Sequence, residues 1–273
     1  MQTVLKGSAS KIRAVFTGAD GEAVAPTSPK VTIIRDSDGV EIATNDAATH
    51  DGDGVVSYAL TPAEIAEVDL LHASWSATGS YAAPCDIGVV GGFLCSIEEI
   101  SSVITTTPAP SAKTIRGLRE AAERRIEDAC GVAFRPTYRR ERLWGDGATG
   151  LLLAERRPSE ILSAKIDGGD ELSADVTIEA GQIVYEGGWP AGSQVDVSYI
   201  HGFTTPPDPI SRATVALARY LVLEDPSNVF DRATSYTTEE ATYSLVTPGV
   251  RGAETPIPEV NAVIDAYREA TFA

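Results

Sequence analysis

A Thr- and Pro-rich segment, Thr105–Pro110, separates two parts of the chain that have different sequence patterns. Proline lacks a backbone donor and pushes the residue before it toward extended conformations, so regular structure rarely runs through such a segment. Short apolar runs precede it, and longer helical periodicities follow it. We therefore predict a short helix and linker over residues 93–110, in which Ser96 and Glu99 have the spacing of a capping box.

Residues 1–92 alternate apolar runs with turns that are rich in Asp and Gly. The turn Asp36-Ser37-Asp38-Gly39, for example, lies between Lys30–Arg35 and Val40–Ala43. An Asp-Gly step between two strand-like runs favours a β-hairpin. The short spacing of these runs predicts antiparallel strands, and it fits a small immunoglobulin-like β-sandwich over residues 1–92.

The clearest helical pattern in the chain spans Ser111–Cys130. Its apolar residues recur at steps of three and four, which predicts one buried stripe, and Gly131 follows as a C-cap. The rest of the helix is predicted to form a charged outer surface. That surface includes the four arginines Arg116, Arg119, Arg124 and Arg125.

Positive charge is concentrated in this region of an acidic chain. Residues 111–142 hold nine Lys and Arg against five Asp and Glu, whereas the remainder holds 13 against 34 and the whole chain has a net charge of −17. Two interpretations stay open: a solvated helix face, or an interface that meets an acidic surface, such as that of an identical subunit. The overall charge argues against binding nucleic acid through its phosphates, although DNA could still slide past such a surface.

Six candidate strands and a second helix follow the basic helix. Gly-rich turns separate the strands, and the helix begins at Asp208 or Pro209, continues to about Glu224 and is followed by Pro226. We predict that residues 111–228 form a small β domain flanked by helices. The candidate strands are Arg140–Leu143, Leu151–Leu153, Ile161–Asp167, Val176–Ile178, Gln182–Tyr185 and Gln194–Tyr199.

The remaining residues, 229–273, have an unusual pattern. Tyr236–Val246 resembles a strand but has no obvious local partner, and a short helix opens at Pro258. We predict an extended C-terminal arm that ends in a detached helix, because such arms find partners on other chains. The complete chain is therefore predicted to belong to the α+β class.

The cysteines and the hydropathy narrow the class of protein. Cys85, Cys95 and Cys130 are odd in number and have no CxxC spacing, so we expect buried free thiols rather than disulfides or a zinc site. No run approaches the roughly 18 apolar residues that a membrane span needs. The first residues lack the regions of a signal peptide. We expect a soluble protein that is made and used inside a cell or released by lysis, with no membrane partner.

No pattern of catalytic or metal-binding residues stands out. The histidines His50, His72 and His201 have no paired ligand spacing, and no nucleophile elbow, Walker loop or dinucleotide fingerprint occurs. Asp51-Gly52-Asp53-Gly54 lacks the later ligands, the closing Glu and the flanking helices of an EF-hand. We therefore predict no enzymatic activity, no cofactor and no metal.

The second part of the chain resembles the head-to-tail adaptor (head-tail connector) proteins of long-tailed bacteriophages. The resemblance covers roughly residues 111–273 and rests on the order and spacing of several stretches. In the first of them a helix ends in Cys-Gly-x-x-Phe. Residues 1–92 fall outside this pattern and look like a fused immunoglobulin-like module. The stretches are Ile126–Pro136, Leu143–Gly147, Leu151–Leu153, Trp189–Gly192, Val195–Gly202, Pro206–Ile210 before Ala213, and Thr255–Val260.

The resemblance implies a structural subunit of the virion neck that is assembled in the host bacterial cytoplasm. Such subunits form a ring, usually of twelve copies, which docks under the portal, contacts the stopper or head-completion protein and lines the channel through which DNA passes without specific binding. It implies that the arm and terminal helix contact the portal, through Tyr236, Tyr243, Leu245, Val246, Val260, Val263, Ile264 and Tyr267. The four helix arginines would pair with acidic surfaces of a neighbouring subunit or of the portal.

A carbohydrate- or surface-binding module is the main alternative, because a β-sandwich would suit it. Such a module needs exposed aromatic side chains, and the candidates are Tyr58, Trp75 and Tyr81. We expect all three to fill the core instead.

Overall fold

The protein contains both sheets and helices, which confirms the α+β class. The computed structural model describes residues 2–105, 109–223, 235–237, 242–244 and 254–268. The helices are α1 (Ile97–Val103), α2 (Ala112–Cys130), α3 (Asp208–Leu223) and α4 (Pro258–Tyr267). The strands are β1 (Gln2–Leu5), β2 (Ser10–Val15), β3 (Thr27–Arg35), β4 (Glu41–Ala47), β5 (Thr49–Gly52), β6 (Val55–Leu60), β7 (Asp69–Thr78), β8 (Cys85–Val90), β9 (Thr137–Trp144), β10 (Gly150–Leu152), β11 (Pro158–Ile166), β12 (Val176–Glu179), β13 (Gln182–Tyr185), β14 (Gln194–His201), β15 (Ser235–Thr237) and β16 (Thr242–Ser244).

The chain divides into two compact units, each built from two separate stretches of sequence. The β unit comprises Met1–Gly92 and Arg135–Thr204, and the helical unit comprises Phe93–Phe134 and Thr205–Ala273. The units do not coincide with the segments predicted along the sequence, because residues 111–134 and 205–228 belong to the helical unit and residues 135–204 to the β unit.

Two sheets of the first stretch enclose one core. Their strand orders are β1-β8-β7-β3-β4 and β2-β6-β5, and β1 runs parallel to β8 whereas the other paired strands are antiparallel. Ile12 and Phe16 from one side and Ile33 and Ile87 from the other are all fully buried in a common cluster. The predicted hairpin turn is confirmed, and Gly39 adopts a φ of 71° there, a conformation that glycine tolerates without steric cost.

Residues 135–204 form a second, smaller pair of sheets, of order β11-β14-β9 and β10-β13-β12. Their shared core is filled by large side chains, of which Trp189 and Tyr199 are both 0% exposed. The six candidate strands predicted for this segment are all present, with bounds that shift by a few residues.

The N-terminal sheets and the sheets of residues 135–204 belong to one unit because side chains distant in sequence meet. Val68, from residues 1–92, is buried against Tyr138 and Ile200, from residues 135–204. The Tyr138 hydroxyl donates a hydrogen bond to Oδ2 of Asp36 at 2.8 Å. The chain leaves the β unit and returns to it at adjacent points, where the Gly91 amide donates to the Pro136 carbonyl at 3.0 Å.

Two helix ends follow the predicted capping residues. Ser96 and Glu99 form a complete capping box on α1, because each side chain accepts from the backbone of the other. Gly131 ends α2 at a φ of 66°. These two predictions are confirmed, whereas Ser111, predicted as the first residue of the helix, caps its start instead.

Candidate assembly surfaces

Arg119 and Glu123 form a buried ion pair on α2. Their side chains are 5% and 0% exposed, with Arg119 Nε 3.6 Å from Glu123 Oε1. The guanidinium carbon also lies 3.5 Å from the centroid of the Phe93 ring, and Glu123 Oε1 accepts from the Leu94 amide at 2.9 Å. Burial lowers the pKa of Arg119, whereas the carboxylate of Glu123 raises it.

The prediction that Arg119 lies on an outer charged face is therefore wrong, because the chain around Phe93 and Leu94 covers it. The sequence held a sign of this arrangement. Arg119 stands four residues after buried Ile115 and three before buried Ala122, on the spacing of the apolar stripe.

The other three arginines of the predicted interface are exposed on α2. Arg125 nonetheless has partners in its own unit, because its Nε and Nη2 donate to the Glu254 carbonyl at 3.0 and 2.7 Å. Arg116 and Arg124 project from the same helix. Their pairing with a neighbouring subunit stays a prediction.

The terminal helix α4 packs on its own unit, so the prediction of a detached helix is wrong. It contacts α2 and α3, and Val260 and Ile264 are 1% and 0% exposed. Tyr267 meets the Phe134 ring edge-on, with centroids 5.7 Å apart. The apolar side of α4 that was predicted to contact the portal therefore packs largely against this chain itself. Val263 and Tyr267 on that side are half-buried.

Polar contacts hold the segment that precedes α4. The buried Thr255 donates its amide to Asn261 Oδ1 at 2.8 Å. Arg268 donates to the Ala129 carbonyl at 3.1 Å and to Glu254 Oε1 at 2.8 Å. These bonds tie the last helix to the end of α2.

The predicted strand over Tyr236–Val246 has a local partner after all. Strands β15 and β16 pair antiparallel, with Tyr236 opposite Tyr243. The prediction of an unpaired extended segment is therefore wrong for these strands. Leu245 and Val246 lie outside the described residues.

The three aromatic residues considered for ligand binding have different surroundings. Trp75 is 8% exposed and fills the core as predicted. Tyr58 is half-buried and donates to Glu64 Oε1 and Asp46 Oδ2, at 3.0 and 3.2 Å. Tyr81 is 64% exposed, so its predicted core position is wrong. One exposed ring gives little support to a carbohydrate platform.

The cysteines are free, as predicted. Cys95 and Cys130 are buried and Cys85 is half-buried. Burial raises the pKa of the Cys95 thiol to about 12 and that of Cys130 to about 11. Throughout the described part of the chain, no cluster of three or more His, Cys, Asp or Glu is placed to hold a metal ion, and no helix there is long and apolar enough to cross a membrane.

His72 bridges two carboxylates on the β unit. Its Nδ1 lies 2.8 Å from Asp86 Oδ1, and its Nε2 lies 3.3 Å from Asp36 Oδ1. The bond to Asp86 is the main reason that the pKa of His72 is raised above its ordinary value of 6.5. Asp36 also faces Tyr138 and Arg140.

Replacing His72 with Gln is expected to lower the melting temperature more under mildly acidic than under alkaline conditions. The raised pKa means that the native state holds the proton more tightly, so this stabilisation is present below about pH 6.5 and is lost as pH rises through the folded-state pKa. Thermal unfolding of both proteins across this range measures the effect. An equal difference at every pH would contradict the charged bridge.

Sequence reasoning missed two large apolar side chains on the surface of the β unit. Trp144 and Leu152 are 64% and 70% exposed, although their neighbours Leu143 and Leu151 point into the core. The alternation of strand side chains could have shown that each lies outward.

Comparison with known proteins finds distant similarities to solved structures. No family model matches the chain, and no curated protein matches it. One similar solved structure is described as the neck of an empty GTA particle computed with C6 symmetry: the sequences are 17% identical, the match covers 65% of this chain and 90% of that chain, and the TM-score is 0.43. Another is described as the virion of a native gene transfer agent (GTA) particle, with 14% identity, coverage of 65% and 89%, and a TM-score of 0.45. At these scores the likeness assigns no family.

Proposed function

We propose that this protein is a structural subunit of a phage-type particle, a head-to-tail adaptor that forms a ring under the portal. In this role it links the DNA-filled head to the stopper or tail and lines the DNA channel. The observation that carries the proposal is that the stretches resembling adaptor proteins lie where α2 meets α4 in one unit and at the turn around Gly145 in the other.

The first such stretch joins the end of α2 to α4. Its Gly131 turns the chain, and its Phe134 is 0% exposed. The Phe134 amide donates to Glu127 Oε1 at 3.1 Å. The Phe134 ring packs edge-on against the Tyr267 ring of α4. The Cys-Gly-x-x-Phe sequence therefore ends α2 and also provides the aromatic ring against which α4 packs.

The last stretch, Thr255–Val260, is fixed on the same surface. Thr255 is 0% exposed and hydrogen-bonded to Asn261, and Arg125 holds the preceding carbonyl of Glu254. The residues that directly precede the first and last stretches, 129 positions apart, thus meet through a hydrogen bond.

Two further stretches meet in the β unit. The Gly145 amide donates to the Ser193 carbonyl at 2.9 Å, and the Gly192 amide donates to the Gly145 carbonyl at 2.8 Å. A β-carbon at position 145 would lie 2.2 Å from the Pro190 carbonyl oxygen, so only glycine fits. Trp189 anchors this turn in the core.

The N-terminal sheets suit a fused immunoglobulin-like module. Their orders are β1-β8-β7-β3-β4 and β2-β6-β5. Within them, β8-β7-β3-β4 has the order of the G-F-C-C′ strands of variable-type sandwiches, and β2-β6-β5 has that of the B-E-D strands. We propose this module as an attachment to the adaptor.

The burial of two α4 residues reduces the set of candidates for the portal contact. Val260 and Ile264 already fill the helical unit, so we assign the contact to Tyr236, Tyr243, Leu245 and Val246, and also to the half-buried Val263 and Tyr267. Exposed Arg116 and Arg124 would meet acidic surfaces of a neighbouring subunit or the portal.

Charge bears on the ring itself. A net charge of −17 per copy opposes closure, so a ring of these subunits needs complementary patches. An acidic channel would let DNA pass without fixed phosphate contacts. We propose about twelve copies in the virion neck, assembled in the bacterial cytoplasm, by the resemblance described above.

Co-expression with the portal protein of the same particle tests the proposal. The wild-type chain should co-purify with the portal as a ring visible by electron microscopy, and failure to bind would refute the adaptor role. Truncation of the whole C-terminal segment is unsuitable because it would remove α4 from the core.

A double substitution, Tyr236→Ser with Tyr243→Ser, tests the assigned contact and leaves the sequence of α4 unchanged. We expect portal affinity to fall at least tenfold, which corresponds to ~1.4 kcal/mol. Tyr81→Ser, at an exposed tyrosine of the β unit, is the matched control. Unchanged affinity in the double variant would move the portal contact elsewhere while leaving the adaptor role intact.

A further inference from the structure

The small β-sandwich of residues 135–204 presents an exposed apolar side chain on each of its two outer faces. Leu143 packs into the core between the sheets, so Trp144 projects from the outer face of sheet β11-β14-β9. Leu151 and Leu153 likewise point inward, so Leu152 projects from sheet β10-β13-β12. The two residues therefore lie on opposite sides of one core.

Basic side chains accompany Trp144. Arg142 and Lys165 share its face, because both stand opposite Asp196 in the strand register. Arg142 Nε lies 3.0 Å from Asp196 Oδ1, but the arginine side chain is 61% exposed and the aspartate 20%. Arg140, one alternation further along the strand, is 52% exposed. Lys165 pairs with Glu171 at 4.0 Å, and these two side chains are about equally exposed, so Arg142 is the positive group that projects beyond its partner beside Trp144.

The face around Leu152 has the opposite character. Leu152 pairs with Gln182, which in turn pairs with Glu179, so the three side chains form one row. Glu179 is exposed. Val184 lies half-buried in the adjacent row, and the strands β10, β12 and β13 contain no Lys or Arg. This face offers apolar surface beside a carboxylate.

We propose that the two faces bind each other between neighbouring copies of this chain, with Trp144 against Leu152 and Arg142 against Glu179. A second copy is the favoured occupant because one chain carries both complementary surfaces. Opposite faces make the contact head-to-tail, and such heterologous contacts generate rings when the rotation closes. The proposal rests on the ring of the proposed function and assigns a subunit interface to the β unit, in addition to the arginines of α2.

Charge reversal separates this contact from other arrangements. Arg142→Glu alone and Glu179→Arg alone each place like charges across the interface, and we expect self-association to weaken at least tenfold. A one-to-one mixture of the two variants should restore it, since every contact in an alternating ring then pairs opposite charges. Sedimentation velocity at low ionic strength, and ring counts on the portal, measure association.

Matched controls isolate the interface from net charge and folding. Lys11→Glu and Glu22→Arg make the same charge changes at exposed positions within residues 1–92, and they should associate like the wild type. Because Arg142 also pairs with Asp196, thermal unfolding of each variant must show a folded protein. Restoration in the mixture itself requires that both variants are folded.

Cysteine cross-linking of the chain alone, at high concentration, gives an independent result. Trp144→Cys mixed with Leu152→Cys should form disulfide-linked dimers, whereas neither variant should do so by itself. Dimers of Trp144→Cys alone would indicate a face-to-face contact and overturn the proposal. Wild-type rings on the portal without cross-links or mixture rescue would overturn this interface and leave the adaptor role standing. Absence of portal binding with cross-links present would do the reverse.

Discussion

Replacing Arg119 with Met is expected to destabilise the helical unit by about 3–5 kcal/mol, the usual cost of breaking a buried ion pair from one side. Methionine can keep much of the packing against Phe93, but Glu123, which is 0% exposed, would lose the positive charge of Arg119. Removing one partner of a buried ion pair costs free energy, because the carboxylate stays away from water with less compensating charge.

Denaturant unfolding followed by far-ultraviolet circular dichroism measures this loss. Arg116→Met is the matched control, since Arg116 is an exposed arginine on the same helix and its replacement should change stability by less than about 0.5 kcal/mol. The double variant Arg119→Met with Glu123→Leu should recover part of the loss, because it removes the buried carboxylate together with its arginine. It leaves the Leu94 amide without its acceptor, so recovery should be incomplete. If Arg119→Met and Arg116→Met had the same free energy of unfolding, the buried ion pair would have no special role in stability.

Stability is also expected to fall by about 3 kcal/mol as pH is lowered from about 6.5 to about 4, through His201 alone. This side chain is 6% exposed. Burial, with a smaller contribution from Arg139, lowers its pKa from 6.5 to about 4. In that pH window the unfolded chain binds a proton that the folded chain does not, so protons favour unfolding. Above pH 6.5 the contribution is constant.

Urea unfolding at several pH values tests this expectation. His201→Phe and His201→Gln both remove the titrating group, and both should lack the wild-type decline over this window whatever their stability at neutral pH. Other carboxylates contribute their own pH dependence, so the relevant quantity is the difference between wild type and each variant. A constant difference from pH 7 to pH 4 would show that His201 gains its proton as easily as in the unfolded chain.

Local features of the fold could be predicted from the sequence because neighbouring residues determine them. Ser96 and Gly131 act within one turn of the helix that each one bounds. The Asp-Gly turn at Gly39 is equally local. The residues of these features need no distant partner, so their patterns in the chain were sufficient.

Features that depend on distant partners could not be predicted in the same way. The bond between Tyr138 and Asp36 joins residues 102 positions apart, and nothing in either sequence neighbourhood indicates the other. Arg119 appeared to be a surface charge because its cover comes from residue 93, beyond the Pro-rich linker. Likewise the apolar side of α4 gave no indication whether it packs on this chain or on another.

The adjacency of Gly91 and Pro136 has a consequence for biosynthesis. The N-terminal sheets are complete once about 90 residues have been made, but Tyr138 and Ile200, which cover Val68, are translated far later. The helical stretch in between emerges from the ribosome first, while its own partner α4 is still unmade. A nascent chain therefore exposes two apolar surfaces at once, one around Val68 and one on the helices that later pack against α4. Its yield in a host cell should depend on chaperones that shield apolar surface during elongation.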